Sequence, residues 1–254
     1  MRVKLEWLNE LVDLTGLSLE EVVNTVSLYS IEVEGVDKMV HASDIVIGHV
    51  LTKEPHPDSD HLNLLTVDVK DEVLNIVCGA PNVDKGQYVI VAKIGCELDG
   101  FTIKKSKIRG YESCGMVCSL QELGIEKKYV EEKYEKGIYY FEDKVEVGMN
   151  GAEALNLHDP VIELGLTPNR GDLLSMLGVA YEMSAVFKRP LKPLVFEIQR
   201  KLDENQEQIK IDIETPNCLS YYGQLIKNIK IKPSPRWLSS RLIAFGIRPI
   251  NNSV

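Results

Sequence analysis

Apolar positions change period twice along the chain. Near the N-terminus Leu5, Leu8, Leu11 and Val12 recur at helical spacing, and Gly16 closes the predicted helix. Ser18-Leu19-Glu20-Glu21 then spells a capping box, in which the Ser18 hydroxyl and the Glu21 carboxylate satisfy amide donors at a helix start. Leu19, Val22, Val23 and Val26 give this second helix its apolar stripe. Two helices within residues 1–38 cannot bury both stripes by themselves. They require a partner from elsewhere in the chain.

From residue 40 to 150 the pattern is that of short strands. Ile45–Leu51, Leu62–Val69, Val73–Cys78, Tyr88–Ile94, Phe101–Ile108 and Ile138–Phe141 are β-rich runs. Asp71, Gly79-Ala80-Pro81-Asn82, Gly86 and Asp99-Gly100 separate them. The apolar phase switches between Leu64 and Leu65, which predicts a bulge in that strand. Short strands at this density suit a small closed barrel, with the OB-fold as the leading reading. An immunoglobulin-like sandwich is disfavoured by the small number of strands and the lack of Cys-Trp-Cys spacing.

Helical texture returns after residue 150. Leu173, Met176, Leu177, Ala180, Tyr181 and Phe187 share one face of a helix predicted to begin near Asp172, and Lys188-Arg189-Pro190 stops it. This helix is the natural partner for the first two. The predicted architecture is therefore α+β and multidomain. An OB-fold β-barrel (39–150) is inserted into a small helical domain formed by 1–38 and 151–199, and a polar linker follows at 200–208. A third unit over 209–254 has predicted strands Ile209–Ile213 and Tyr221–Ile231, then a helix opened by Ser234-Pro235 and ended by Gly246. Two strands and one helix make an incomplete α/β unit.

Composition narrows the class. The 254 residues are 44% hydrophobic and 26% charged, with a formal net charge of −9, an ordinary globular balance. No stretch approaches the ~20 apolar residues that span a bilayer, so no membrane partner is expected. Met1 to Leu14 carries charges through its apolar positions and does not read as a signal peptide. Five scattered cysteines argue for a reducing, cytoplasmic setting rather than a disulfide scaffold. Charge is uneven: Thr215–Val254 has six basic residues and no Asp or Glu, so residues 1–214 carry −15. That asymmetry points to an anionic partner for the basic end, or to docking on the acidic remainder.

A series of motifs then carries a resemblance. His56-Pro57-Asp58-Ser59-Asp60, Val77-Cys78-Gly79-Ala80-Pro81-Asn82-Val83 and Lys104-Lys105-Ser106-Lys107-Ile108-Arg109-Gly110 come first. Ser113–Ser119, Asp159–Leu164, Thr167–Ser175 and Gly246–Asn252 follow in register. Together they closely resemble, along the whole chain, the beta subunits of bacterial phenylalanyl-tRNA synthetases. The resemblance implies an α2β2 cytoplasmic ligase whose alpha subunit charges tRNA with phenylalanine, using ATP and magnesium that this segment does not bind. It implies that 39–150 is a tRNA-binding-type domain and that 209–254 begins an editing domain that clears mischarged tyrosine. An apolar pocket rejects an isostere with one added hydroxyl only weakly, so a second site supplies the discrimination. The family chain is several times longer, and the chain reads as its N-terminal segment, without a complete active site. The rival reading is a stand-alone tRNA-binding or chaperone-like OB protein, which would have no use for the flanking helices. His61, Cys96, Cys114 and Cys218 stand where the family usually has other residues.

No catalytic residue is predicted: neither a phosphate-cradling glycine loop nor a nucleophile elbow occurs. His56, Asp58, Asp60 and His61 fit no standard metal spacing and read as a turn, and Cys114 and Cys118 read as barrel residues. Arg170 reads as a carboxylate partner in preference to a phosphate ligand. The candidate tRNA contacts are Lys104, Lys105, Lys107, Arg109, Ser113 and Met116 in the barrel, with Lys232, Arg236, Arg241 and Arg248 beyond it. Residues 39–150 hold 13 Lys+Arg against 19 Asp+Glu, a net −6. On charge alone, then, the 227–248 region is expected to contribute more than the barrel run.

Overall fold

In the computed structural model, residues 1–194, 209–223 and 225–253 are described. The predicted linker at 200–208 lies outside them. The central element is an antiparallel sheet of β3 (Ile45–Pro55), β4 (Asn63–Asp68), β5 (Val73–Cys78), β6 (Tyr88–Lys93) and β11 (Gly115–Val117), in the order β11-β6-β3-β4-β5. β12 (Tyr140–Phe141) adds to β6. The Cys114 amide donates to the Asn75 carbonyl at 2.8 Å, which brings the β11 end of the sheet back to β5 and nearly closes a barrel.

β6 is buried on both faces, which is why Val89–Ala92 reads as an unbroken apolar run. Val50, Val67, Val69, Val89, Val91 and Val117 fill the barrel interior. Gly48 lines this wall because a Cβ there would come within 2.6 Å of Val67 and Val91. The alternate residues Ile45, Ile47, Ile90 and Ala92 face outward, under a layer from Leu120, Leu123, Ile125, Tyr134 and Phe141. The bulge lies in β3, not in β4 as the sequence predicts: the ladder shifts between Val50↔Val67 and Thr52↔Thr66, leaving Leu51 unpaired. Leu65, Val67 and Val69 keep a clean inward alternation. The partner strand absorbs the extra residue.

The outer segments form a second core. α1 (Leu5–Leu11), α2 (Leu19–Tyr29) and α4 (Met176–Phe187) bring Leu8, Leu11, Val22, Val26, Val179, Ala180 and Met183 together. The Ser18–Glu21 capping box forms as predicted, and Ser175, not Asp172, caps α4 by accepting from the Gly178 amide. A purely helical unit is corrected here. β1 (Arg2–Lys4), β2 (Val33–Asp37) and β13 (Val161–Leu164) form a three-stranded antiparallel sheet with β13 in the middle. Each strand has at most five residues, too few for a period-2 signal, and the pairing is between ends of the chain.

Four short strands, β7 (Glu97–Leu98), β8 (Phe101–Thr102), β9 (Ser106–Ile108) and β10 (Tyr111–Ser113), make two hairpins beside the barrel, and α3 (Gly151–Ala154) lies against β3. The strands predicted at 209–213 and 221–231 are not formed among the described residues. Their β-branched side chains are exposed and no neighbouring strand offers ladder partners, without which backbone donors and acceptors stay with solvent. The helix that follows is present as α5 (Arg236–Ala244), with Gly246 at φ +81° after it.

Candidate nucleic-acid interface

Four of the predicted basic residues sit on or beside one hairpin. β9 and β10 pair Ser106↔Ser113, Lys107↔Glu112 and Ile108↔Tyr111. The two-residue turn between them is Arg109 (φ +46°) and Gly110 (φ +92°), both left-handed. Such turns match the right-handed twist of a hairpin, which is why a glycine is required there. Lys104, Lys105, Lys107 and Arg109 follow the hairpin edge.

The neighbours of each cation differ. Lys105 Nζ lies 2.9 Å from Glu112, whose carboxylate holds the ammonium above its ordinary value. Arg109 donates to the Asp58 carbonyl at 2.6 Å. Lys104 and Lys107 are exposed and have no ion-pair partner among the described residues. Phe101 and Tyr111 are 47% and 40% exposed, the aromatic surface available for a base. The arrangement thus offers free cations beside aromatic rings, set on a rigid barrel.

The His56–Asp60 segment supports this hairpin from behind. His56 is buried edge-on against Tyr111, ring centroids 4.8 Å apart. Its Nδ1 accepts from the Asp58 amide at 3.1 Å. Asp60 pairs instead with His61, which lowers its carboxyl. Two motifs separated by some fifty residues in the chain are one structural unit: the Asp58 carbonyl anchors the hairpin tip. Among the described residues no group of His, Cys, Asp and Glu is placed to hold a metal ion.

Two of the predicted contacts also have partners within the chain. Ser113 is buried, and its hydroxyl accepts from the Val77 amide at 3.1 Å while donating to the Gly115 carbonyl at 3.1 Å. The first ties the hairpin root to β5 and the second to the start of β11. Met116 is half-buried in β11 opposite Ala92 and packs on the outer core. Burial raises the Cys78, Cys96 and Cys118 thiols, as expected of barrel cysteines.

The C-terminal cations do not join the hairpin. Arg236 donates to the Ala154 carbonyl at 3.4 Å, Arg241 pairs with Glu10, and Arg248 lies 3.7 Å from Glu135. The Lys232 side chain alone of these four faces solvent without an ion pair among the described residues. Arg170 is held by Asp172 at 2.9 Å and Glu182 at 2.8 Å, and these carboxylates raise its guanidinium further. Sequence reasoning missed the receivers of these charges, Glu10, Glu135 and Trp7. Trp7 and Glu10 are three residues apart on α1, a spacing that puts them on one helix face but names no partner. A cleft of about 750 Å³ lies between residues 129–157 and α5, away from the hairpin. Its rings already carry the chain's own cations, Lys133 over Tyr134 at 4.6 Å and Arg236 over Phe141 at 5.2 Å.

Comparison with known proteins gives this geometry a family. A tRNA binding domain model matches residues 45–150, and a B3/4 domain model matches residues 217–254. The whole chain is 47% identical to the phenylalanine–tRNA ligase beta subunit of Geobacillus kaustophilus and 48% identical to that of Halalkalibacterium halodurans. It is 45% identical to that of Bacillus subtilis, again over its full length. In each case it spans 32% of the relative. Over its entire length the chain corresponds to the N-terminal region of phenylalanine–tRNA ligase beta subunits, and it belongs to that family.

Proposed function

We propose that the chain acts as the N-terminal part of a phenylalanine–tRNA ligase beta subunit, contributing a tRNA-binding-type barrel and assembly surfaces to the attachment of phenylalanine to its tRNA. The observation that carries this reading is the likeness of both flanks as well as the barrel to the ligase relatives. A stand-alone tRNA-binding or chaperone-like OB protein would share the barrel only.

The layout that fits is an OB-type barrel over 39–150 set into a unit made from 1–38 and 151–199, with 209–254 beginning an editing domain. Support comes from the single apolar core shared by residues 3–31 and 162–183. The working assembly is an α2β2 tetramer with the alpha subunit, in the cytoplasm, with ATP and magnesium bound outside this segment. Residues 1–254 alone neither charge tRNA with phenylalanine nor deacylate tyrosyl-tRNA. A deacylation assay beside an intact synthetase tests this, and turnover lost on mutating a residue within 209–254 would refute it.

RNA contact is assigned to the hairpin, with Lys104 and Lys107 as the phosphate-facing cations and Lys105 and Arg109 beside them. This reverses the ranking that charge alone predicts, because Arg236, Arg241 and Arg248 are engaged within the chain. The barrel's net −6 keeps the contact weak and salt-sensitive. Reversing Lys104 and Lys107 to Glu should lower affinity for tRNA about tenfold or more and flatten its salt dependence by about two units of slope. Binding that survives this change but is lost on reversing Lys230 and Lys232 would move the interface to the C-terminal segment.

A further inference from the structure

The chain has two tryptophans, Trp7 and Trp237, and both lie against Arg241. The guanidinium carbon is 4.8 Å from the Trp7 ring centroid and 5.5 Å from that of Trp237. Glu10 closes the arrangement as the ion-pair partner of Arg241. Phe245, one turn further along, meets Trp7 at a tilt of 54°, ring centroids 5.2 Å apart. A planar guanidinium suits this position because it stacks on indole while its edge binds a carboxylate, which a lysine ammonium cannot do in the same geometry.

Ile243 and Ala244 are buried in the outer core of the barrel, and a Cβ added at Gly246 would come within 3.3 Å of the Tyr129 hydroxyl. Arg236 and Arg248 flank Arg241, one over Phe141 and one beside Glu135. α5 and the Gly246–Arg248 segment after it therefore meet α1, the barrel strand β12 and the 126–135 segment. Their three arginines have different acidic or aromatic receivers, all outside residues 209–254.

We propose that the Arg241 face of α5 is an intramolecular docking surface whose partner is the Trp7–Glu10 face of α1, so that the 217–254 unit is clasped to the N-terminal unit and the barrel. The basic end of the chain then serves to set where the following domain sits, and its charge complements the chain's own acidic remainder, not RNA. In the longer relatives the same clasp would orient whatever follows residue 254 with respect to the barrel. The inference stands on these contacts and is independent of the RNA assignment to the hairpin.

The two tryptophans make the clasp its own reporter. Arg241→Glu in the 1–254 protein should shift tryptophan emission to the red and speed amide exchange in residues 237–247 about tenfold, the sum of a cation–π contact and a partly exposed ion pair. Exchange in β3 and β6 should stay unchanged, which separates release of α5 from global unfolding. Glu10→Arg should reproduce the effect, and the Glu10→Arg, Arg241→Glu double variant should restore much of the exchange protection. Arg241→Lys should restore less than Arg, because it keeps the charge and loses the stacking. Binding of tRNA should be the same for Arg241→Glu and the parent. An Arg241→Glu variant with parent emission and exchange, or one that loses RNA binding while α5 stays protected, would overturn the proposal.

Discussion

The basic run around the β9–β10 hairpin and the basic segment from Arg236 to Arg248 put their charge to different use. Lys104, just before β9, and Lys107, within it, are exposed with no ion-pair partner among the described residues, and the nearby Glu112 carboxylate is taken by Lys105. On α5 and just after it, each arginine meets a carboxylate, a carbonyl or a ring from a distant part of the chain. Counting net charge ranks the 227–248 region first as an RNA surface. Locating the receivers ranks it second. The lesson is that a cation's availability depends on what the fold has brought within about 4 Å of it, a quantity the local sequence does not contain.

Both surfaces depend on the same barrel, the hairpin through β5 and α5 through the outer core, and weakening the barrel should loosen them together. Ile90 is buried in β6 between the barrel and the layer that carries α5. Ile90→Ala should cost about 2–5 kcal/mol, as for other large-to-small core changes, measured by urea unfolding. A loss confined to α5, with the hairpin's RNA affinity unaltered and global stability intact, would show that the two surfaces are independent.

A smaller change should separate them. Ser113→Ala removes only the hydroxyl and leaves the Val77 amide unpaired, at a cost of about 1–3 kcal/mol. Hydrogen exchange should rise first in 106–117 and leave α5 protected. Equal deprotection of 237–247 would mean that the hairpin and α5 are one cooperative unit.

The smallest effects are in pH, and their signs are opposite in two places. Hydrogen bonds from Ser30, then from Arg170, hold the Glu182 carboxyl below its ordinary value. Its stabilisation is present above the unfolded value of 4.5 and is lost as pH falls through the lower folded value. Burial pushes Glu131 up, against the attraction of Lys133. The folded state therefore binds that proton more readily, and stability gains as pH falls through the raised value toward 4.5. Glu131→Gln should slightly stabilise the protein at neutral pH and remove that gain, whereas Glu182→Gln should destabilise it at neutral pH and flatten the acid limb. A Glu131→Gln protein less stable than the parent at pH 7 would show that the Lys133 pair outweighs the burial.

Much of this molecule was legible from local chemistry. The α2 capping box, the α5 start at Ser234-Pro235 and its Gly246 stop, and the β5 and β6 runs depend on neighbours within a few residues. The whole-chain motif series carried the family in the same way, as local residues in order. The small N-terminal sheet was not legible. β1 and β13 pair residues 2–4 with 161–163, and three-residue strands have no readable period until a partner supplies the ladder. The bulge was read one strand away from where it lies, since a register shift belongs to a pair of strands and the sequence displays one at a time.

The candidate interface divides along the same line. The basic run Lys104, Lys105, Lys107 and Arg109 was written in the sequence, whereas the two-residue turn at Arg109-Gly110 that splits it from β10 emerged with the strand pairing. That Ser113 would be consumed inside the barrel, and that Arg241 would close on Glu10 between the two tryptophans, was decided only by tertiary packing. The physical reason is range. Capping, turns and amphipathic stripes are fixed by contacts three or four residues apart, while the fate of a charge is fixed by whichever carboxylate or ring the hydrophobic cores carry to it, here from 231 residues away.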